Sequence, residues 1–213
     1  MRRRWAGRLA VSIGAIGILI ASVVLLSYAR WLQGISKGNQ ALAVADVATA
    51  QRAYESAARQ IGFLPSPGKV LPAGYRELVF NRARTLYAQQ GDDVLARFLE
   101  TEAARSPQLS EDSEYHYWIG NTQFRKAISQ KDKQQRQSGL QQAAESYRRA
   151  LMTSPDDWDA KYNYELSTRL LEGLRKGKQD NLEKMKRGQM KLLREDNETK
   201  KEQQRQVAPE KRG

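Results

Sequence analysis

The chain has 213 residues, 40% of them hydrophobic, which suits one domain of ordinary size with appendages. It contains no cysteine, so disulfides, thiol catalysis, lipid attachment through cysteine and cysteine-bound zinc are excluded. The net charge of +12 resembles a nucleic-acid signal only until it is divided along the sequence. Four arginines precede Leu9, 19 basic residues face 17 acidic ones from Leu9 to Leu174, and 13 face 7 from Arg175 to Gly213. The middle is close to neutral, and no nucleic-acid partner is expected of it.

The basic segment 1–8 leads into 9–29, a mainly apolar run without a charge that Arg30 closes. At 1.5 Å per residue such a run spans roughly 30 Å, the hydrocarbon thickness of a bilayer. It is long for the apolar core of a signal peptide, although Ser27 and Ala29 could serve at a cleavage site. The expectation is an uncleaved membrane anchor that contacts the bilayer through 9–29. Trp5 and Trp31 flank it as interfacial aromatics, and the four arginines before Leu9 outnumber Arg30 and Lys37 beyond it, so the N-terminus is expected on the cytoplasmic side.

Beyond the anchor one theme recurs. Ala50, Tyr54 and Ala57 stand at spacings of four and three, and so do Ala143, Tyr147 and Ala150. On a helix this puts two small residues and one ring on a single face, which a second helix can approach closely. Between the copies, Gly62 to Gly74 carries Pro65, Pro67, Gly68 and Pro72 and is expected to be a loop. A degenerate copy follows from Tyr75 to Pro107, with Tyr87 before a QQGDD turn and with Ala96 and Ala103 in the small positions. Glu100 occupies its aromatic slot, so Phe98 or Leu99 must supply the packing.

The fullest copy opens at Ser113 with Tyr115, Tyr117, Trp118 and a small Gly120, and closes with Pro155. Residues two apart on a helix point to different sides, so at least one ring of Tyr115, Tyr117 and Trp118 should not be fully buried; Tyr115 and Tyr117 are the candidate partner-binding residues. Extra residues, roughly Ile128 to Gly139, lengthen its turn or its helices. Trp158 to Leu174, with Tyr162, Leu166, Leu170 and Leu174 at four-residue steps, is a further helix that would cover the last exposed face. The tail 175–213 is basic, with a thin apolar stripe at Leu182, Met185, Leu192 and Leu193 and then little to bury.

The chemistry of an enzyme is missing from the pattern. His116 is the chain's only histidine, and no HExxH, GxSxG or P-loop string occurs. No catalytic residue, metal or cofactor is expected.

The A-x3-Y-x2-A theme with its preceding glycine and closing proline resembles the tetratricopeptide repeat. That resemblance makes Ala50, Tyr54, Ala57, Tyr87, Ala96, Ala103, Gly120, Ala143, Tyr147, Ala150 and Pro155 structural signature positions. Gly34 stands where the family has tryptophan, and 11 extra residues separate Gly120 from Ala143. The implied fold is all-α: a transmembrane helix, a short tetratricopeptide-like helical solenoid over 34–174, and a charged, partly disordered tail. The anchor, the degenerate repeats, WDAKYNYELSTRLLEGL (Trp158 to Leu174) and the Gln/Lys-rich tail together resemble the membrane-anchored Bat and MxaK-like repeat proteins encoded with MoxR-type ATPases. The resemblance implies a non-enzymatic adaptor of the bacterial inner membrane with its repeats in the periplasm. Its protein partner would be of the von Willebrand A-domain kind, with methanol dehydrogenase maturation as the task in the MxaK-like case. The alternative is a binder of anionic membrane or nucleic acid through the basic tail.

Overall fold

The computed structural model describes residues 2–89 and 91–176, with side chains from residue 14 onward. Among these residues every regular element is helical: α1 (Arg2–Ala43), α2 (Val47–Gln60), α3 (Pro67–Val70), α4 (Pro72–Ala88), α5 (Asp92–Arg105), a short 3₁₀ helix (Pro107–Glu111), α6 (Ser113–Ser129), α7 (Lys133–Thr153) and α8 (Trp158–Arg175). Local chemistry starts them. Asp46, Asp112, Asp132 and Asp157 each accept a backbone N–H of the first turn of α2, α6, α7 and α8, at 3.0, 3.0, 2.7 and 2.9 Å. The stripe at Leu182, Met185, Leu192 and Leu193, the segment 177–213 as a whole, and the side chains of the leading arginines and Trp5 lie outside the described residues.

The chain divides into two compact units, Met1–Gln90 with Ala104–Ser106, and Gly91–Ala103 with Pro107–Gly213. In the first unit, α1 does not stop where the apolar run ends. It continues for 42 residues in all, and its segment Gly14–Ala43 is long and apolar enough to cross a membrane. Ile18, Leu19, Val23, Val24 and Leu25 on it are exposed, whereas Trp31, Ile35 and Ala41 are buried. Trp31, expected as an interfacial aromatic, is instead core: it is 1% exposed and lies flush against Gly74 of α4. A tryptophan beside a glycine can sink fully between two helices, and that burial outweighs the interfacial preference.

The second half of α1 packs on α2. A Cβ on Gly34 would lie 2.9 Å from Ala57 Cβ, and one on Gly38 would strike the Tyr54 ring, so both glycines are spacers for close helix approach. Tyr54 is fully buried and its hydroxyl donates to Asn39 Oδ1 at 2.7 Å. Burial first, then the Glu77 charge, push its pKa up to about 12 against the opposing Arg84, so this hydroxyl remains a donor throughout the physiological range. Asn39 also donates to Glu77 at 2.8 Å and accepts from Asn81 at 2.9 Å, which ties α4 to α1. α1 ends through Ala45, whose φ of 57° is left-handed, with the Asp46 N–H returning to the Ala41 carbonyl at 2.9 Å.

The stretch Gly62 to Gly74, expected as a loop, proves partly helical. Pro67 and Pro72 each stand in the first turn of a helix, where a missing N–H is harmless and the fixed φ is already helical. Pro67 is buried, and Gly68 rests against Ser106.

In the second unit α6 and α7 form an antiparallel hairpin covered by α8. Gly120 faces the Tyr147 ring, where an added Cβ would come within 2.7 Å, and Gly139 faces Ala127 in the same way. Ala143, Tyr147 and Ala150 are buried, as are Leu166, Leu170, Leu171 and Leu174 of α8. The stripe on α8 thus begins at Leu166, because Tyr162 is exposed. In α5, Leu95 and Leu99 are buried, and Leu99 supplies the packing that Glu100 cannot. The extra residues around Ile128 to Gly139 lengthen both helices, leaving only Gln130–Asp132 as a turn. Pro155 is exposed and follows Ser154, which caps the end of α7.

Candidate functional site: a polar groove on the second unit

Two helices that pack through small residues on one face leave their flanking faces as the walls of a furrow. On α6 the residues facing it are Tyr115, His116, Ile119 and Gln123; on α7 they are Ser138, Gln142, Glu145, Ser146 and Arg149. Both sets advance in steps of three and four, the stride of one helix face. They line an open groove of about 650 Å³ to which Glu100 of α5 adds a carboxylate. A second concavity of about 410 Å³ shares Gln123, Ser138 and Gln142 with the first and extends it past Lys126, Gln130 and Gln135.

The groove is rich in side-chain amides and hydroxyls. Ser146 Oγ donates to Gln123 Oε1 at 2.7 Å, linking its two walls. Glu145 is held to α7 by Arg148 and Arg149 at 2.8 and 3.3 Å, and the hydrogen bond from Arg148 brings its carboxyl down to about 2. At the other wall Tyr115 meets His116 edge-on, with ring centroids 5.6 Å apart. Desolvation lowers the pKa of His116 and Arg149 lowers it further, against Glu111 and Asp112, so the imidazole is neutral at pH 7. Desolvation, then Glu100, raise that of the Tyr115 phenol. Neutral amides, a phenol and a neutral imidazole can exchange hydrogen bonds with a polypeptide backbone. Among the described residues no three His, Asp or Glu side chains gather as a metal ion requires.

Of the two candidate partner-binding residues, Tyr115 lines the groove while Tyr117 turns the other way. The Tyr117 ring lies 5.2 Å from Trp118 and 6.2 Å from Tyr147, packed on the core. The signature positions Ala50, Tyr54, Ala57, Gly120, Ala143, Tyr147 and Ala150 are all buried between helices, and Tyr87, Ala96 and Ala103 are half-buried. Sequence reading missed Gln123, Ser138 and Gln142, although the run Gln135, Ser138, Gln142, Glu145, Arg149 carries a helical stride that could have marked one face.

No protein-family model matches this chain, and neither a curated protein nor a solved structure matches it.

Proposed function

We propose that the chain is a non-enzymatic, membrane-anchored adaptor that binds a protein partner in the polar groove between α6 and α7. The observation that carries this reading is the groove itself: a helix pair whose small residues are spent on packing and whose adjoining face offers amides beside one ring, Tyr115. Such a face suits an extended segment of a partner, whose backbone needs hydrogen bonds and whose side chains need one apolar seat. The recurrence of glycine facing tyrosine in α1/α2 and α6/α7 supports the reading of both hairpins as tetratricopeptide-like repeats. The arginines before Leu9 favour a cytoplasmic N-terminus with the helical units across the membrane, and the periplasm of a bacterial inner membrane as that compartment rests on the sequence resemblance. Service to a MoxR or von Willebrand A-domain system is the narrower form of the proposal and rests on the sequence resemblance.

The test uses a photo-crosslinking residue placed in the full-length, membrane-bound protein at Gln123, at Gln142, and at the exposed Arg169 of α8. Crosslinks to one protein from the two groove positions, absent from Arg169 and weakened by Tyr115→Ala, are the expected outcome. Crosslinks that vanish only when 177–213 are deleted would transfer the function to the basic tail.

A further inference from the structure

Two helices of the first unit, α2 and α4, lie at defined levels along α1. Gly34 lies against Ala57 and Gly38 against Tyr54, so α2 runs back toward the apolar part of α1. Ile61 is four residues past Ala57, an advance of about 6 Å, which brings it level with Arg30, four residues before Gly34. Gly74 lies against Trp31, while Asn39 bonds Glu77 and Asn81, so α4 runs in the same direction as α1 and starts at the low end. Both ends of the connection from α2 to α4 therefore stand where the uncharged run of α1 gives way to Arg30.

That connection carries apolar side chains with no seat in the protein. Phe63 is 77% exposed and Val70 is 62% exposed. They are held outward by a fixed frame: Pro67 is buried, Gly68 is flush with Ser106, and Arg105 donates to the Leu64 carbonyl at 3.4 Å. Tyr28, on the last apolar turn of α1, is exposed at the same level. The charge agrees with the position, since the sequence from Ser56 to Arg76 has Arg59, Lys69 and Arg76 and no Asp or Glu. The opposite end of the hairpin carries Asp46.

We propose that the Gly62–Leu71 connection is a second membrane contact, with Phe63 and Val70 entering the bilayer interface and Arg59 and Lys69 meeting anionic headgroups. This rests on the reading of α1 as a membrane helix. Apolar side chains flanked by cations are the composition of an interfacial anchor, and a helix that already crosses the bilayer places them there without a separate binding step. Because α1 continues unbroken into the hairpin, this contact also fixes the rotation of the first unit about the anchor axis.

The chain has no cysteine, so single-site labelling is clean. The full-length protein is prepared as Phe63→Cys, Val70→Cys, Leu19→Cys and Ala48→Cys, each labelled with a polarity-sensitive fluorophore and placed in nanodiscs of phosphatidylcholine and phosphatidylglycerol. Expected are quenching by nitroxide-bearing lipid at positions 63 and 70, of the order seen at 19, and several-fold protection from aqueous iodide relative to 48. Quenching at 19 with iodide access at 63 and 70 equal to that at 48 overturns the second contact and leaves the anchor standing. Loss of lipid quenching at 19 as well overturns both. Unchanged helicity of all four labelled proteins by circular dichroism confirms that the comparison is between folded chains.

Discussion

The Tyr147 hydroxyl donates to Asn121 Oδ1 at 2.8 Å, and Asn121 accepts from Asn163 at 3.2 Å. The same three-helix linkage occurs in the first unit, where Asn39 accepts from Tyr54 and from Asn81. Each asparagine directly follows the glycine that seats the tyrosine ring, and in both units the two asparagines are 42 residues apart. The spacing from asparagine to tyrosine differs, 15 residues against 26. The equivalence is therefore one of packing. In each unit a tyrosine fills the cleft between two helices, and its buried hydroxyl requires the acceptor that the asparagine provides.

Replacing the ring should separate these contributions. Tyr147→Phe keeps the volume and loses one hydrogen bond, for an expected destabilisation of about 1 kcal/mol. Tyr147→Ala also empties the cleft and should lose about 3–5 kcal/mol. Thermal and chemical melts of the full-length protein in detergent measure both; a neutral Tyr147→Phe would mean that the hydroxyl contributes nothing, and equal effects would mean that the ring does not fill the cleft.

Glycine at position 120 is a matter of space. Gly120→Ala would put a Cβ 2.7 Å from a buried ring atom, and the resulting overpacking should destabilise by about 1–2 kcal/mol even after the gain in helix propensity. Gly17→Ala, with nothing within 4 Å, should leave the melting of the helical units unchanged. A neutral Gly120→Ala would show that Tyr147 can move.

Ala45 ends α1 at a φ of 57°, where a Cβ is unfavourable. Ala45→Gly should stabilise the first unit by about 0.5–1 kcal/mol, the strain relieved exceeding the added freedom of the unfolded chain. A lower melting temperature would contradict the cap geometry.

His116 should make the second unit sensitive to acid. Its folded pKa lies below the ordinary 6.5, so between those two values the unfolded chain binds more protons. This contribution to stability should be level above pH 7 and fall as the pH drops from 6.5 through the folded value. His116→Gln should remove this part of the dependence. The loss linked to Glu145 comes lower, between its ordinary 4.5 and about 2, and should remain. As the chain's sole histidine, His116 can be titrated by NMR without assignment, and a midpoint at or above 6.5 would refute the placement of the imidazole beside Arg149.

Much of the helical pattern was legible in the residues themselves. The A-x3-Y-x2-A spacing identified the buried faces of α2 and α7, and the four-residue steps from Trp158 to Leu174 marked α8, because side-chain spacing is a local property. The groove was only half legible: Tyr115 and Tyr117 had to diverge, yet nothing local said which would meet the Tyr147 ring.

Sequence by itself determined the apolar run, the near-neutral middle, the absence of thiol chemistry and the face each repeated helix buries. The structure decided that the apolar run and the first packing helix are one helix, that Trp31 belongs to the core, and that Gln123, Ser138 and Gln142 share a groove. It also decided that Asn39 meets Asn81 and Asn121 meets Asn163. The physical reason is the same in each case: a helical period states which side chains share a face, but the neighbour that face receives depends on contacts formed across dozens of residues, such as Gly74 against Trp31.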